Sequence, residues 1–261
     1  MSATHDPRSA IEAGDLEAAL AGALAAVKAA PGDQGARLLL IDTLIVSGEF
    51  ERADRQADIL GNLAPDMALG LSLLRGRLRA CEARRAWFEE AAVPAFPDGP
   101  TERDEAAMRL GVAMRAGEGI SEALEALTAI SETDGVSVDG EAPAAFRDAD
   151  DRVPHALELL GGNGSYVWVD WARIASLTFE PPRAVRDLAW RPARLETADG
   201  AVSDVVVCAT YHAPNASDAE RLGRETGWDE RNGVVCGRGQ KTFLAGEEIA
   251  LALEMSSLRR A

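Results

Sequence analysis

The 261-residue sequence is poor in the residues from which most catalytic and metal sites are built. It contains three cysteines and three histidines, and aromatic residues make up 5% of the chain. The cysteines are far apart, odd in number and without a Cys-x-x-Cys spacing, which excludes a disulfide framework and a zinc ribbon. This scarcity favours a binding protein over an enzyme and predicts no metal and no cofactor. The residues concerned are His5, His155, His212, Cys81, Cys208 and Cys236.

Basic residues are also in deficit, because 27 Lys and Arg face 43 Asp and Glu, for a net charge of −16. Such a surface repels a phosphate backbone, which argues against nucleic acid as a partner. The sequence has no apolar run long enough to cross a membrane, and its start, MSATHDPRSA, has no signal-peptide pattern. We therefore expect a cytoplasmic protein without a membrane partner. A hydrophobic fraction of 47% still allows a buried core.

The two halves differ in composition. The stretch 1–130 is rich in Ala and Leu, which is typical of helices. From about Asp139 onward, Val, Trp and Tyr occur in short runs separated by Gly, Pro, Asn and Asp, which is typical of strands and turns. The sequence therefore predicts an α+β protein with a helical domain over 1–133 and a small, mostly antiparallel β-rich domain over 139–261.

The helical half contains an internal repeat. One constant shift places Gly14 on Gly48 and Pro31 on Pro65, and it also superposes small residues of the following helix. Glycine permits the tight turn between two helices, small residues let the helices approach closely, and proline ends the second helix. In its period and its residue types the pattern resembles the tetratricopeptide repeat, and it predicts a helical scaffold that binds another protein.

Five residues of the second repeat are expected on its concave surface, namely Gly35, Leu38, Asp42, Ile45 and Val46, and the last four are predicted to bind the partner. That surface is mostly apolar, so an amphipathic helix is the ligand that fits it best. Arg75 and Arg79, four residues apart on the long helix predicted after Asp66, could contact an acidic partner. A solvated or intramolecularly paired helix face is the alternative for these two arginines.

In the second half, turn signals at 161–164, Pro181-Pro182, Asp199-Gly200 and Asn232-Gly233 separate predicted strands. We predict helical inserts near 153–160, 183–188 and 217–223. The strands are expected near 165–170, 174–180, 189–197, 202–209, 234–236 and 247–254.

Three patterns in this half could carry chemistry. Cys208 and His212 could form a thiol–imidazole pair, with Cys236 as a further metal ligand, although a core cysteine and a loop histidine explain them better. The acidic cluster of Asp148, Asp150 and Asp151 could bind a cation, but a solvated helix start is favoured. Gly-Gly-Asn-Gly-Ser at 161–165 lacks the Lys of a phosphate-binding loop and is explained by turn chemistry.

The order of several tracts in this half is more specific than any of these patterns. Phe-Arg-Asp-Ala-Asp-Asp-Arg lies at 146–152, Tyr-Val-Trp-Val-Asp-Trp at 166–171, Asp-Leu-Ala-Trp-Arg-Pro-Ala at 187–193, and Gly-Arg-Gly-Gln-Lys at 237–241. In this order, after a helical domain, they resemble the ImpE/SciE/TagJ family of type VI secretion accessory proteins.

The resemblance implies a non-catalytic adaptor that associates with the small subunit of the type VI sheath, through a helix of that subunit, and with the AAA+ ATPase that disassembles the sheath. Two alternatives stay open at this point. One is a generic repeat scaffold for another complex. The other is a small hydrolase or metal-dependent enzyme using Asp148, Asp150, His155, or Cys208 with His212. The oligomeric state is not determined by the sequence.

Overall fold

The computed structural model describes residues 6–90 and 92–261, and His5 therefore lies outside the described residues. The chain begins with helices. They are α1 (Pro7–Ala13), α2 (Leu16–Ala29), α3 (Gln34–Val46), α4 (Phe50–Leu63), α5 (Ala68–Glu90), α6 (Glu102–Ala116) and α7 (Ile120–Thr128). Helices α1 to α5 pack consecutively, each against the next.

The remainder of the chain is mainly strands, with the short helix α8 (Asp218–Arg221) and 3-10 turns at Trp171–Arg173 and Val185–Leu188. The strands are β1 (Thr133–Val138), β2 (Ala144–Asp148), β3 (Ala156–Leu160), β4 (Tyr166–Asp170), β5 (Ile174–Phe179), β6 (Trp190–Thr197), β7 (Val202–Cys208), β8 (Thr226–Arg231), β9 (Val234–Gly239), β10 (Thr242–Ala245), β11 (Glu248–Leu251) and β12 (Ser257–Arg260).

Ten of these strands form one antiparallel sheet, in the order β11-β10-β2-β1-β12-β5-β6-β7-β3-β4. Strands β8 and β9 form a separate hairpin. The observed architecture confirms the predicted α+β class, with helices first and an antiparallel sheet after them.

Local sequence signals account for the helix boundaries. Asp33 caps α3 by accepting from the backbone N–H of Ala36, and Thr101 with Asp104 forms a capping box at the start of α6. Gly14 and Gly48, the repeated glycines, adopt φ values of 81° and 77°. That left-handed conformation ends one helix and lets the chain turn into the next.

The predicted helix at 153–160 is wrong, because Ala156–Leu160 is strand β3. All five of its residues are buried, and it pairs with β4 on one side and β7 on the other. A short apolar run buried on both faces has no alternation of polar and apolar residues, so periodicity alone does not separate it from a helix. Strands β1, β2, β8, β10 and β12 are additional to those predicted.

The hydrophobic core is shared between the helices and the sheet. One buried cluster joins Leu78 and Cys81 of α5 to Trp190 and Cys208 of the sheet. Another cluster packs Trp87 of α5 edge to face against Trp168 of β4, with ring centroids 4.8 Å apart. Helix α7 ends at Thr128 and β1 begins at Thr133, so β1 occupies the stretch between the two predicted domains. The independence of the two predicted domains stays a prediction.

Helix α5 also touches the β3–β4 turn through two glycines. A Cβ atom on Gly76 would lie only 1.7 Å from the carbonyl oxygen of Gly162, so glycine is required for the helix to approach the turn this closely. The turn at 161–164 connects two paired strands, as its turn chemistry predicts. This contact fixes α5 against the sheet, directly beside the cavity described next.

Candidate functional site

A cavity of about 310 Å³ lies where α5, the α3–α4 turn and the ends of β6 and β7 meet. We call it the central cleft. Apolar and thiol side chains form much of its wall, namely Ile45, Val46, Phe50, Cys81, Trp190 and Cys208. The Phe50 and Trp190 rings stack at 6.3 Å between centroids, so side chains of the helices and of the sheet form this wall together.

Charged residues also line the cleft. Arg85 pairs with Glu82 at 3.0 Å and Glu89 at 2.9 Å along α5. His212 and Arg221 come from the sheet half of the chain. Pockets of this kind, apolar inside with a few fixed polar groups, are the usual form of a binding site. The volume suits two or three side chains of a ligand rather than a whole helix.

Two of the six residues predicted to bind a partner, Ile45 and Val46, line this cleft. The other two on α3 do not. Asp42 is buried and its carboxylate accepts from Arg186 at 2.6 Å. Leu38 is partly buried against the main helical cluster. Burial is the larger effect on Asp42 and raises the pKa of its carboxyl, although the Arg186 charge opposes the shift. Whether these residues bind a partner stays a prediction.

The chain itself covers part of the surface that we expected to be an open groove. Leu222, directly after α8, packs in a buried cluster with Ile11, Leu16 and Val46 of the helices. The carboxylate of Asp218 accepts from the first backbone N–H of α2, at Leu16. A segment from the sheet half of the chain therefore covers part of the α3 surface, at Val46, and the binding of a partner to the rest of that surface stays a prediction.

The same segment, at 218–224, donates hydrogen bonds to both turns that contain the repeated glycines. Arg224 donates to the carbonyl of Ile11 at 2.7 Å, and Arg221 donates to the carbonyl of Ser47 at 2.9 Å. Both carbonyls lie at helix C-termini, where cationic groups are favoured. A Cβ atom on Gly48 would lie 2.7 Å from the Arg221 guanidinium, so the glycine also makes room for the arginine.

The two arginines that were predicted to contact an acidic partner have different environments. Arg75 is paired within the chain, to Asp54 at 2.8 Å and Asp58 at 2.6 Å on α4. These two bonds raise the pKa of Arg75 and occupy its guanidinium. Arg79 is exposed and lies near Gly164 in the β3–β4 turn. Neither residue lines the central cleft.

A network of buried charges, which the sequence did not reveal, adjoins the cleft at Arg84. Arg84 of α5 donates to Glu158 of β3 at 2.8 Å, and the Lys241 ammonium lies 2.7 Å from the other Glu158 oxygen. Lys241 also contacts Asp148 at 2.5 Å, while Tyr166 donates to Glu158. Burial alone would raise the pKa of Glu158, but the Arg84 and Lys241 charges hold it far below its usual range.

The structure does not assemble a thiol nucleophile. Burial raises the pKa of Cys208 to about 11, so its thiol is protonated, whereas nucleophilic cysteines have a lowered pKa. The His212 ring stacks on Phe88, and its Nε2 atom lies 3.1 Å from Glu89. Cys236 contacts the carbonyl of Val234. A core cysteine and a loop histidine therefore explain Cys208 and His212.

The acidic cluster is not a solvated helix start, which corrects that interpretation. Asp148 and Asp150 are buried, at 0% and 3% exposure, beside strand β2. Asp148 accepts from Lys241 and Tyr211, whereas Asp150 is paired with Arg152 at 2.5 Å. His155 contacts Asp104 instead. Among residues 6–90 and 92–261, no group of three His, Cys, Asp or Glu side chains is placed to hold a metal ion.

His212, which lines the cleft, makes the free energy of unfolding of the protein depend on pH. Burial is the main cause that lowers the pKa of His212 from 6.5 to about 4, and the nearby Arg84 and Arg152 charges add to it. The carboxylate of Glu89 opposes this shift but does not outweigh it. The folded protein therefore holds His212 neutral, while the unfolded chain protonates it below pH 6.5.

We expect the free energy of unfolding to fall by about 1 kcal/mol between about pH 7.5 and about pH 5.5 because of this residue. The loss continues until the pH reaches about 4, where the folded protein also takes up the proton. Urea unfolding at both pH values, with His212→Gln as the comparison, measures it. An equal loss in the variant would show that other groups cause the pH dependence.

No helix within the described parts of the chain is long and apolar enough to cross a membrane.

Comparison with known proteins identifies the relatives of this chain. Residues 140–259 match the family model of the ImpE protein. The type VI secretion system accessory component TagJ of Pseudomonas aeruginosa PAO1 is 33% identical over 246 residues, which cover 91% of this chain and 85% of that protein.

The fold has a crystallographic counterpart. The crystal structure of protein VPA1032 from Vibrio parahaemolyticus superposes with a TM-score of 0.89, at 28% sequence identity, over 98% of this chain and 97% of that one. The likeness therefore extends over helices and sheet together. The sequence relationship to TagJ covers the same two parts, and the chain belongs to the ImpE/TagJ family.

Proposed function

We propose that this protein is a non-enzymatic, cytoplasmic adaptor of the type VI secretion system, in which the central cleft receives anchor side chains of an amphipathic helix from the small sheath subunit. The similarity to TagJ supports the secretion role. The single observation that carries the binding mode is the central cleft itself, with Phe50 and Trp190 on its walls and Arg85 among its charged residues. Amphipathic helices bind in this way, with a few apolar anchors in a pocket and charges around it.

In this proposal the helices act as a tetratricopeptide-like scaffold, but the sheet supplies half of the binding surface. Trp190 and Cys208 of the sheet half line the cleft together with Ile45 and Phe50 of the helices. The ligand helix therefore contacts both parts of the chain at once. The remaining sheet surface is available to a second partner, for which we propose the AAA+ ATPase that disassembles the sheath.

Filling the cleft tests the proposal. Ala213 lines the cleft on a partly exposed loop, so Ala213→Trp places a large side chain in it without altering a helix or strand. We expect at least a tenfold weaker affinity for a fluorescently labelled peptide of the N-terminal helix of the small sheath subunit, measured by anisotropy with the full chain. A tenfold change corresponds to about 1.4 kcal/mol.

Asn215→Trp is the matched control, because Asn215 is exposed on the same loop and does not line the cleft. Circular dichroism of both variants checks that the fold is retained. Tight binding by Ala213→Trp would move the site away from the cleft. Absence of binding by the unmodified protein would contradict the sheath-subunit proposal itself.

A further inference from the structure

A second and larger groove, of about 680 Å³, lies at the other end of the sheet from β4. We call it the β11 groove. It is formed by β1, the start of β2, the end of β10, β11 and the turn that follows β11. Its apolar lining includes Val136, Ala144, Ala245, Ile249, Ala250 and Met255.

Small side chains create this space. Ala245 lies directly opposite Phe146 in the β10–β2 ladder, and Ala250 lies opposite Phe243 in the β10–β11 ladder. Residues opposite each other in antiparallel strands share a face of the sheet, so these alanines lie on the face that carries the two buried phenylalanines. Away from the β11 edge, the buried aromatic side chains cover this face of the sheet. At the edge, the small side chains of the two alanines leave the face uncovered.

The charges around the groove have one sign. Asp139, Glu141, Glu247, Glu248 and Glu254 line it, and no Lys, Arg or His does. Asp139 is used within the fold, where it accepts from the backbone N–H groups of Ser256 and Ser257. The four glutamates are exposed and, within the described chain, form no ion pair. Apolar surface surrounded by unpaired carboxylates is complementary to a partner that is both apolar and basic.

The edge of the sheet defines the conformation of that partner. Strand β11 ends the ten-stranded order and pairs only with β10 among the described residues. It also carries Ile249, which is 66% exposed. An unpaired edge strand accepts an added strand through its free backbone groups, and alternate side chains of that strand enter neighbouring pockets.

We propose that the β11 groove binds an extended segment of a partner protein in which apolar and basic residues alternate, and that this segment adds to the sheet beside β11. Glu248 lies opposite Ala245 and therefore shares the alanine face, whereas Ile249 lies opposite Leu244 on the other face. Alternation places the basic side chains of the segment on the alanine face, beside Glu248, and its apolar side chains on the other face, beside Ile249. A second copy of this chain is disfavoured, because its β11 edge presents the same unpaired glutamates and no basic side chain.

The probe is a fluorescently labelled peptide of four Lys-Val repeats, titrated against the full chain by anisotropy. We expect saturable binding, protection of the backbone amides of β11 in hydrogen exchange, and at least a tenfold weaker affinity for the double variant Glu247→Lys, Glu248→Lys. The Ala213→Trp variant should bind this peptide normally, since the central cleft and the β11 groove have no lining residue in common. Failure of this proposal is thereby separated from failure of the adaptor proposal.

The matched control is Glu122→Lys with Glu230→Lys, which changes the net charge equally at exposed positions on α7 and β8. An equal loss in this control would show that net charge alone attracts the peptide and would overturn the proposal. Absence of binding by the unmodified protein would also overturn the proposal. Equally tight binding of a peptide of four Glu-Val repeats would do the same. Sedimentation that shows a dimer dependent on Ile249 would instead identify a second copy as the occupant, against our proposal.

Discussion

Replacing Glu158 by alanine should destabilise the protein by about 3–5 kcal/mol. The carboxylate is 2% exposed and is the shared acceptor for Arg84, Lys241 and Tyr166. Removing it leaves two buried cations close together without their common counterion. Because Arg84 belongs to α5 and the other three residues to the sheet half, the loss falls on the contact between helices and sheet.

Chemical denaturation followed by tryptophan fluorescence measures this effect. The control is Glu51→Ala, which removes a pair with Arg55 at 3.7 Å in which Glu51 is 83% exposed. Exposed pairs of this kind contribute little, so we expect the control to change the unfolding free energy by about 0.5 kcal/mol or less. A Glu158→Ala protein whose unfolding free energy stays close to that of the unmodified chain would show that the buried network does not hold the two parts together.

Separating the chain at residue 131 should prevent both pieces from folding cooperatively. The buried clusters combine side chains from both sides of this position, including Trp87 with Trp168 and Cys81 with Cys208. Each piece alone would expose that apolar surface to water and lose the transfer free energy of about 25 cal/mol per Å² that burial provides. Division of the chain at residue 131 would also separate Arg84 from Glu158.

Thermal unfolding of the fragments 1–131 and 132–261, each purified alone, checks this expectation. Coexpression of the two fragments is the control, and we expect them to purify as one complex with a cooperative transition. A sharp transition in the helical fragment alone would contradict our expectation and would support 1–133 as an independent domain. It would also mean that sheath-peptide binding can be tested on the fragment.

The helical half was predicted well because its signals are local. The repeated turn glycines, Gly14 and Gly48, act within a single helical turn of their own positions, so the sequence pattern determines them. The hairpin at Asp199-Gly200 was predicted for the same reason. Strand β3 was missed because its identity depends on pairing with β7, which lies far away in sequence.

The candidate site was predicted only in part. Ile45 and Val46, two of the residues predicted to bind a partner, line the central cleft, but Trp190 and Cys208, which line it with them, lie in the other half of the sequence. The pattern that marks Asp148 and Asp150 as an acidic cluster says nothing of Lys241 or Arg152, which neutralise them in the fold. Sequence spacing identifies charges but not the counterions that the fold supplies.

The sequence by itself determined the α+β class, the turn glycines between the helices and the family, because each depends on the identity of residues near one another or in a fixed order. The tertiary structure alone decided which part of the helical surface the rest of the chain covers. Arg221 and Arg224 reach the turns at Gly48 and Gly14, and Leu222 covers Val46, so the surface expected for a partner is partly held by the chain itself. The physical reason is that helix C-termini attract cations and apolar faces attract apolar side chains, whether these come from another protein or from the same chain.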